Sequence, residues 1–216
     1  GKLWLATYSD GVFCYDLPQN RWKHYKWIPE DSTSLPYNKV ISIFEDSHKR
    51  IWFTTQGAGF CRFCPETDNF VCYDMTDGFP SNIVYKIVED NEGKLWLTTN
   101  KGLVSFYPET GAKHIYTTAN GLLSNQFNYQ SGFKDDKGTI YLGSIDGFIA
   151  FNPYEFVENK QVPSLALTDF FLFNKRSPIG VKGSPLSKSI TYSDEIELSA
   201  EQNSFSLRAA VLSYQA

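Results

Sequence analysis

Paired acidic residues are the first feature of this sequence that could perform catalysis. Adjacent carboxylates occur at Glu45–Asp46, Glu89–Asp90 and Asp135–Asp136. A glycosidase requires two carboxyl groups about 5–10 Å apart across a bound sugar. These pairs instead recur at regular intervals, and adjacent side chains on a strand point to opposite faces. We therefore predict a structural role for them, and we expect no catalytic residues and no enzyme activity in this chain.

Cysteines and histidines are the residues that could bind a metal. The segment CRFC (61–64) has the C-x-x-C spacing typical of zinc and redox sites. No second cysteine pair or histidine doublet completes the four ligands that zinc needs, so we predict no metal and no cofactor. We expect the cysteines to be small buried hydrophobic residues, with a cross-strand Cys61–Cys72 disulfide as the alternative. The residues concerned are Cys14, Cys61, Cys64, Cys72, His24, His48 and His114.

Polar residues in turn-like segments could bind a sugar, which requires hydrogen-bonding side chains beside an aromatic ring. Two sets of segments offer such residues: the segments DGFPSN (77–82) and NGLLSN (120–125), and the short turns at 8–10, 56–58, 100–101 and 145–146. Turn and capping chemistry is the alternative role for them. The candidate ligand-binding residues are Tyr8, Asp10, Gln56, Ser81, Asn82, Asn100, Lys101, Ser124, Asn125 and Asp146.

The elements that position these residues follow from an internal repeat. The chain begins GKLWLATYSDGV, and from residue 93 it reads GKLWLTTNKGLV. The aromatic residue of this motif recurs four times at intervals of 48, 44 and 45 residues, at Trp4, Trp52, Trp96 and Tyr141. A period of this length is typical of repeat architectures such as the β-propeller.

A glycine recurs with each of the four aromatic residues and an acid with three of them, and we predict structural roles for both. The glycines follow the aromatic residue by six or seven positions, at Gly11, Gly59, Gly102 and Gly147. The acids precede it by six positions, at Asp46, Asp90 and Asp135. An aspartate in such a turn can accept hydrogen bonds from backbone N–H groups, and glycine tolerates positive φ. The aromatic ring supplies a large apolar surface between neighbouring sheets.

Each repeat contains four short segments with the character of β-strands. In the third repeat these are NIVYKIVED, KLWLTT, GLVSFY and KHIYTT, separated by the turn residues DNEG and PETG. We therefore predict an all-β partial propeller of about three and a half four-stranded antiparallel blades. Its units lie near 1–38, 39–82, 83–125 and 126–155, and both sets of polar loops lie on one face of it.

After residue 155 the repeat stops. Residues 156–216 are predicted to form a linker and the beginning of an Ig-like β-sandwich, with strands in LALTDFFLF and in IELSAEQNSFSLRAAVLSY. The chain already begins within a strand, so we expect a segment of a longer protein. Open propeller ends and an unfinished sandwich leave apolar surface bare, and we expect two copies to associate as a homodimer.

The composition excludes several classes of function. Hydrophobic residues make up 42% of the chain and aromatic residues 16%, which is sufficient for a core rich in strands. The net charge of −4 gives no basic surface for nucleic acid, so we predict no nucleic-acid partner for this segment. No apolar run is long enough to span a membrane, and no signal-peptide pattern begins the chain.

The quoted motifs resemble a known family. The segment EDNEGKLWLTTNKGLVSFYPETG, with GLLSNQF leading into the next repeat, is similar to the two-component regulator propeller repeat. The segment NPYEFVENKQVPSLALTDFFLFNK and the strands after it resemble the tyrosine-rich Ig-like domain that follows such propellers. Together they resemble the periplasmic sensor region of hybrid two-component systems. The resemblance implies a longer propeller array, a membrane helix, a histidine kinase, a receiver and a DNA-binding regulator elsewhere in the protein.

The resemblance also implies a function. Sensors of this kind detect oligosaccharides and control transcription of the genes that degrade them. We therefore expect a non-catalytic, periplasmic, carbohydrate-sensing segment that relays ligand binding through the Ig-like domain to a membrane-bound kinase. The chain would then meet the membrane only through other parts of the protein. The alternatives are a structural scaffold or dimerisation stalk whose ligand contacts lie elsewhere, and a propeller-type polysaccharide lyase.

Overall fold

A computed structural model describes residues 1–155 and 164–212. These residues form 17 β-strands and four short 3₁₀ turns, which confirms the predicted all-β class. The chain divides into two compact units, Gly1–Val157 and Glu158–Ala216. The 3₁₀ turns span Met75–Asp77, Thr118–Asn120, Pro153–Glu155 and Ile190–Tyr192.

The first unit contains four antiparallel sheets, each a simple meander. The first sheet comprises β1 (Lys2–Ala6), β2 (Val12–Asp16) and β3 (Arg21–Tyr25). The second comprises β4 (Val40–Glu45), β5 (Ile51–Thr55), β6 (Phe60–Cys64) and β7 (Asn69–Tyr73). The third comprises β8 (Val84–Glu89), β9 (Leu95–Thr99), β10 (Gly102–Phe106) and β11 (Lys113–Tyr116). The fourth comprises β12 (Phe127–Lys134), β13 (Ile140–Ser144) and β14 (Gly147–Phe151).

These sheets are the blades predicted from the repeat. Two complete four-stranded sheets lie between two three-stranded sheets, as expected for a partial propeller of about three and a half blades. The first strands of the second, third and fourth sheets, β4, β8 and β12, pack against one another. They are therefore the innermost strands, and β7 and β11 lie at the outer edge.

Three apolar layers hold the four sheets together. Phe53 and Phe63 of the second sheet pack with Val12 of the first. Trp52 and Phe60, on the other face of the second sheet, pack with the third. The third layer joins the third and fourth sheets and consists of Tyr85, Val88, Trp96, Leu103, Tyr116, Phe127, Ile140 and Leu142. Trp4, Trp52 and Trp96 thus lie between two blades, as predicted, whereas Tyr141 of the last repeat is 37% exposed and belongs to none of these layers.

The repeated aspartate has a second partner that explains its spacing. Asp46 Oδ1 accepts hydrogen bonds from the backbone N–H groups of His48 (3.0 Å) and Arg50 (2.9 Å) in the β4–β5 turn. Its other oxygen, Oδ2, accepts the indole N–H of Trp52 at 2.8 Å. Asp90 binds Trp96 at 2.9 Å in the same way, and Asp135 binds the Tyr141 hydroxyl at 3.2 Å. The acid therefore joins the turn to the aromatic residue six positions later.

The repeated glycine is required by a close approach between strands. A Cβ atom on Gly59 would lie 2.0 Å from the carbonyl oxygen of Tyr73, at the end of the neighbouring strand. The corresponding distance is 2.2 Å for Gly11 and 2.4 Å for Gly102. All three glycines also have positive φ. Any side chain there would displace the next strand of the blade.

The second unit contains one antiparallel sheet in residues 164–212. Its strands are β15 (Ser164–Leu172), β16 (Lys175–Arg176) and β17 (Phe205–Leu212), in the order β16-β15-β17. Phe170, Leu186 and Ile190 form its small core. Within the predicted IELSAEQNSFSLRAAVLSY strands, the first segment, IELS (196–199), forms no strand, although Ile196 packs against the core. The Ig-like sandwich therefore stays a prediction, and the linker at 156–163 lies outside the described residues.

The four cysteines are all thiols in the structure. Cys14 and Cys61 are buried, and Cys64 and Cys72 are partly buried. Within residues 1–155 and 164–212, no group of His, Cys, Asp and Glu side chains is arranged to hold a metal ion. In the same residues no helix is long and apolar enough to cross a membrane.

Candidate functional site

The two sets of polar loops meet at one end of the first unit. The N–H groups of Gly11, Gly59 and Gly102, each at the turn between the second and third strands of a repeat, donate to the carbonyl oxygens of Asn38, Asn82 and Asn125. The N···O distances are 2.9, 2.8 and 2.6 Å. Each of these asparagines lies just before the first strand of the next blade. The loops of neighbouring blades are therefore tied together on one face, called here the loop face.

A cleft of about 440 Å³ opens on this face near the innermost strands. All four sheets contribute to it, and we call it the loop-face cleft. The residues lining it are Ala6, Thr7, Tyr8, Val40, Ile41, Ser42, Ile43, Lys86, Tyr129 and Gln130.

An irregularity in β12 shapes one wall of the cleft. The pairing of β12 with β13 is interrupted between Phe127 and Gly132, and Gln130 has φ of 52°. The bulge carries Gln130 across to the second sheet, where its Nε2 donates to the carbonyl oxygen of Ile41 at 3.0 Å. A bulge in a barrel-like or propeller sheet commonly redirects side chains toward a functional site.

Two tyrosines and two lysines supply aromatic rings and positive charges in and beside the cleft. Tyr8 is 70% exposed and Tyr129 is 51% exposed, so their rings are available to a ligand. Lys86 lines the cleft, and Lys39 beside it places its Nζ 3.7 Å from the centre of the Tyr8 ring. Exposed aromatic faces beside hydrogen-bonding groups suit a polar ring such as a sugar.

A glutamine beside the cleft has an unused acceptor. Gln56 Nε2 donates to the Tyr129 hydroxyl at 2.6 Å, while Gln56 Oε1 is buried and has no hydrogen-bond partner. An unsatisfied buried amide oxygen costs free energy. The Tyr85 ring, 4.5 Å from that of Tyr129, supports this wall from behind. Burial raises the pKa of Tyr85, so its hydroxyl stays neutral.

Asparagine side chains of the predicted loops are already engaged within the turns. Asn82 Oδ1 accepts the N–H of Met75 at 2.9 Å, and Asn125 Oδ1 accepts that of Thr118 at 2.8 Å. Asn38, which was not among the candidates, accepts the N–H of Trp27 at 2.8 Å in the same way. The capping role weighed against ligand binding therefore describes what these side chains do in the structure.

Two serines and one further asparagine of the candidate set also have partners inside the protein. Ser81 Oγ donates to Asn100 Oδ1 at 2.5 Å and accepts the N–H of Ile83 at 2.9 Å. Ser124 Oγ accepts the N–H of Gln126 at 3.2 Å. Ser81 and Ser124 are both buried. Their hydroxyl groups fix the entry to the innermost strands.

The charged candidates lie at the rim, away from the cleft lining. Lys101 and Asp146 are exposed in the β9–β10 and β13–β14 turns. Asp10 forms an ion pair with Lys26, and that hydrogen bond lowers the pKa of Asp10. Of the ten candidate residues, Tyr8 lines the cleft and Gln56 contacts its Tyr129 wall. Ligand binding by the set stays a prediction.

Sequence reasoning missed three polar residues of the cleft, Lys86, Tyr129 and Gln130, and Lys39 beside it. One signal was available. The segment FNYQSGF (127–133) is polar and contains glycine where the first strands of the other blades read VISIF and VYKIV. A departure from the repeat at a single blade indicates a local role that the other blades do not share.

The sequence comparisons identify the repeats. The family of two-component regulator propellers matches residues 34–57 and 78–101. A histidine kinase of Formosa agariphila is 33% identical over an alignment of 259 positions, which covers 97% of this chain and 19% of the kinase. The chain therefore spans about a fifth of the length of this curated relative.

Two of the solved structures that are similar to this chain have TM-scores of 0.50 or more and share its fold. The extracellular domain of a one-component system from B. thetaiotaomicron is 16% identical with a TM-score of 0.52, over 97% of this chain and 38% of that one. Virginiamycin B lyase from Staphylococcus aureus is 14% identical with a TM-score of 0.50, over 78% and 57%. The extracellular domain of a hybrid two-component system from B. thetaiotaomicron is 27% identical with a TM-score of 0.45, over 97% and 34%.

These comparisons agree with the repeat, the blades and their order. The matched residues include Asp90 and Trp96, which are joined by a hydrogen bond in the third blade, and Asn82 in the loop before that blade. The chain is thus an all-β segment in which residues 34–57 and 78–101 match the two-component regulator propeller family.

Proposed function

We propose that this segment senses an oligosaccharide in the periplasm as part of a membrane-bound histidine kinase, and that the loop-face cleft binds the sugar. The observation that carries the proposal is that two exposed tyrosines, Tyr8 and Tyr129, line one cleft together with Lys86. Their aromatic faces would stack on the sugar ring, while Lys86 and the neighbouring Lys39 bind its hydroxyl groups.

A thermal-shift screen against a panel of oligosaccharides tests the binding proposal. A ligand at 100 times its Kd stabilises the native state by about 2.7 kcal/mol. For a chain of this size that raises the melting temperature by roughly 5–10 °C. The Tyr8→Ala variant should lose the shift without losing stability, because Tyr8 is largely exposed. Tyr154→Ala, an exposed tyrosine outside the cleft, is the matched control.

The signal would be relayed mechanically. Ligand binding favours one arrangement of the sensor over another, and the Ig-like domain passes the change to the membrane. Such coupling is typically worth 1–3 kcal/mol. A disulfide that locks the connection after residue 155 should abolish the response in the intact receptor. Unchanged signalling by the locked receptor would refute the relay.

The scaffold alternative rests on its own observation. Asn82, Asn125 and Ser81 use their side chains in turns, so much of the loop face is structural. If the intact receptor shifts with a sugar and residues 1–216 do not, the ligand site lies elsewhere and this segment is a scaffold. Sedimentation of residues 1–216 tests the homodimer: a monomer at tens of micromolar would refute it.

A further inference from the structure

Two cysteines face each other across the outer hairpin of the second blade. Strands β6 and β7 pair antiparallel, and Cys61 lies directly opposite Cys72 in their register. Side chains of directly opposite residues project from the same face of the sheet with Cβ atoms about 4.5–5.5 Å apart. Both cysteines lie in the apolar layer between the first and second blades.

A hydrogen bond outside the hairpin shows whether Cys61 and Cys72 form a hydrogen-bonded or a non-hydrogen-bonded pair of the antiparallel ladder. The N–H of Phe70, two residues before Cys72, points away from β6 and donates to the carbonyl oxygen of Thr33 at 2.8 Å. Backbone groups alternate in direction along a strand, so the N–H and C=O of Cys72 also point away from β6. Cys61 and Cys72 are therefore a non-hydrogen-bonded pair. Pairs of this kind have the shorter Cα separation, about 4.5 Å, which lies within the range for disulfides.

The two thiols differ in accessibility in a way that suits oxidation. Cys61 is fully buried, whereas Cys72 is partly exposed. A hydrogen bond from Cys61 lowers the pKa of Cys72, while burial raises the pKa of Cys61. The accessible thiol is thus the one that more readily forms the reactive thiolate.

The other two cysteines are placed differently. Cys64 lies three residues after Cys61 and so points to the opposite face of β6, opposite Asn69. Cys14 belongs to the first sheet, between Trp4 and Lys23. Neither has a cysteine opposite it in a strand register. The fold therefore brings Cys61 together with Cys72, and not with Cys64 of the C-x-x-C segment.

We propose that Cys61 and Cys72 form a disulfide bond when the protein meets a disulfide oxidant outside the cytoplasm, and that this bond fastens the outermost strand β7 to the second blade. Cys72 thiolate attacks the oxidant's disulfide, forms a mixed disulfide and releases one thiol. Cys61 then loses its proton, and its sulfur attacks Cys72 Sγ and releases the second thiol. Two protein thiols are oxidised, and one oxidant disulfide is reduced to two thiols.

Peptide mapping tests the pairing directly. The protein is equilibrated with oxidised glutathione, its free thiols are blocked with N-ethylmaleimide under denaturing conditions, and it is digested with trypsin. Cleavage after Arg50, Arg62 and Lys86 places Cys61 in peptide 51–62 and Cys72, with Cys64, in peptide 63–86. We expect two maleimide groups instead of four, and a disulfide between these two peptides. The linked peptides should persist in the Cys64→Ser variant and disappear in Cys72→Ser.

The outcomes separate this proposal from the proposed sugar binding. Four maleimide groups after oxidation, or a link that disappears in Cys64→Ser, would overturn the disulfide. The oxidised wild type should also melt about 5 °C or more above its reduced form, because the bond restricts the unfolded chain. Cys72→Ser should show no difference between oxidising and reducing buffers. An oxidised melting temperature at or below the reduced value would contradict the fastening role.

Discussion

Removal of the Asp46 carboxylate should destabilise the first unit strongly. This side chain is 0% exposed, and it accepts hydrogen bonds from Trp52 Nε1, from Arg50 Nε at 2.5 Å, and from the backbone N–H groups of His48 and Arg50. Burial alone would raise the pKa of Asp46, but the hydrogen bonds from Trp52 and Arg50 hold it below its ordinary value. The carboxylate is therefore charged and fully used as an acceptor.

The magnitude follows from the partners left behind by Asp46→Ala. The indole N–H of the fully buried Trp52 would lose its only acceptor, which costs about 1–3 kcal/mol. Loss of the two backbone hydrogen bonds resembles loss of a helix cap, at about 0.5–2 kcal/mol. We expect Asp46→Ala to lower the free energy of unfolding by about 3–4 kcal/mol. Urea denaturation followed by circular dichroism measures the change.

A double-mutant cycle isolates the contact. Trp52→Phe removes the indole N–H, so Asp46→Ala should cost about 1–2 kcal/mol less in the Trp52→Phe background. Asp135→Ala is the matched control, because the equivalent Tyr141 hydroxyl is exposed and the effect should be clearly smaller. Equal losses at Asp46 and Asp135, or additive changes in the cycle, would refute this account of the six-residue spacing.

Three further predictions concern the backbone and one partly buried tyrosine. Gly59→Ala should destabilise the unit far more than Gly147→Ala in urea denaturation, because Gly59 faces a carbonyl oxygen at 2.0 Å whereas the nearest atom to a Cβ on Gly147 is 3.9 Å away. Lys49→Gly should stabilise it by about 0.5–1 kcal/mol in the same assay, since Lys49 has φ of 65° where the other turns use glycine. Burial raises the pKa of Tyr25 to about 12, so phenolate absorbance should show one tyrosine titrating late. Its contribution to stability is present below pH 10 and is lost as the pH rises toward 12.

Much of the fold could be predicted because the sequence motif of one blade occurs four times in the chain. The spacing of Trp4, Trp52, Trp96 and Tyr141 gave the blades, and their strands lie where the alternating segments indicate. The partner of the repeated aspartate was missed, because residues six apart on either side of a turn adjoin only after the hairpin closes. The prediction of a strand at IELS was wrong, because a segment with β-propensity forms a strand only when another strand pairs with it.

The candidate site was less predictable than the fold. Its wall depends on Gln130 reaching Ile41, two residues that are 89 positions apart and belong to different blades. No pattern within one repeat encodes such a contact. The loop asparagines were named from composition, yet Asn38, Asn82 and Asn125 occupy equivalent positions with equivalent partners. Comparing the loops as repeats would have indicated their structural role.

The hydrogen bond from the Gly59 N–H to the Asn82 carbonyl oxygen has a consequence for how such proteins evolve. Each of the three junctions between neighbouring blades joins a glycine N–H on one side to an asparagine carbonyl on the other, at Gly11–Asn38, Gly59–Asn82 and Gly102–Asn125. A duplicated or deleted blade would therefore meet matching neighbours at both junctions. The array can gain or lose units by recombination while its joints stay intact, and a single divergent strand such as β12 is then free to acquire a new specificity.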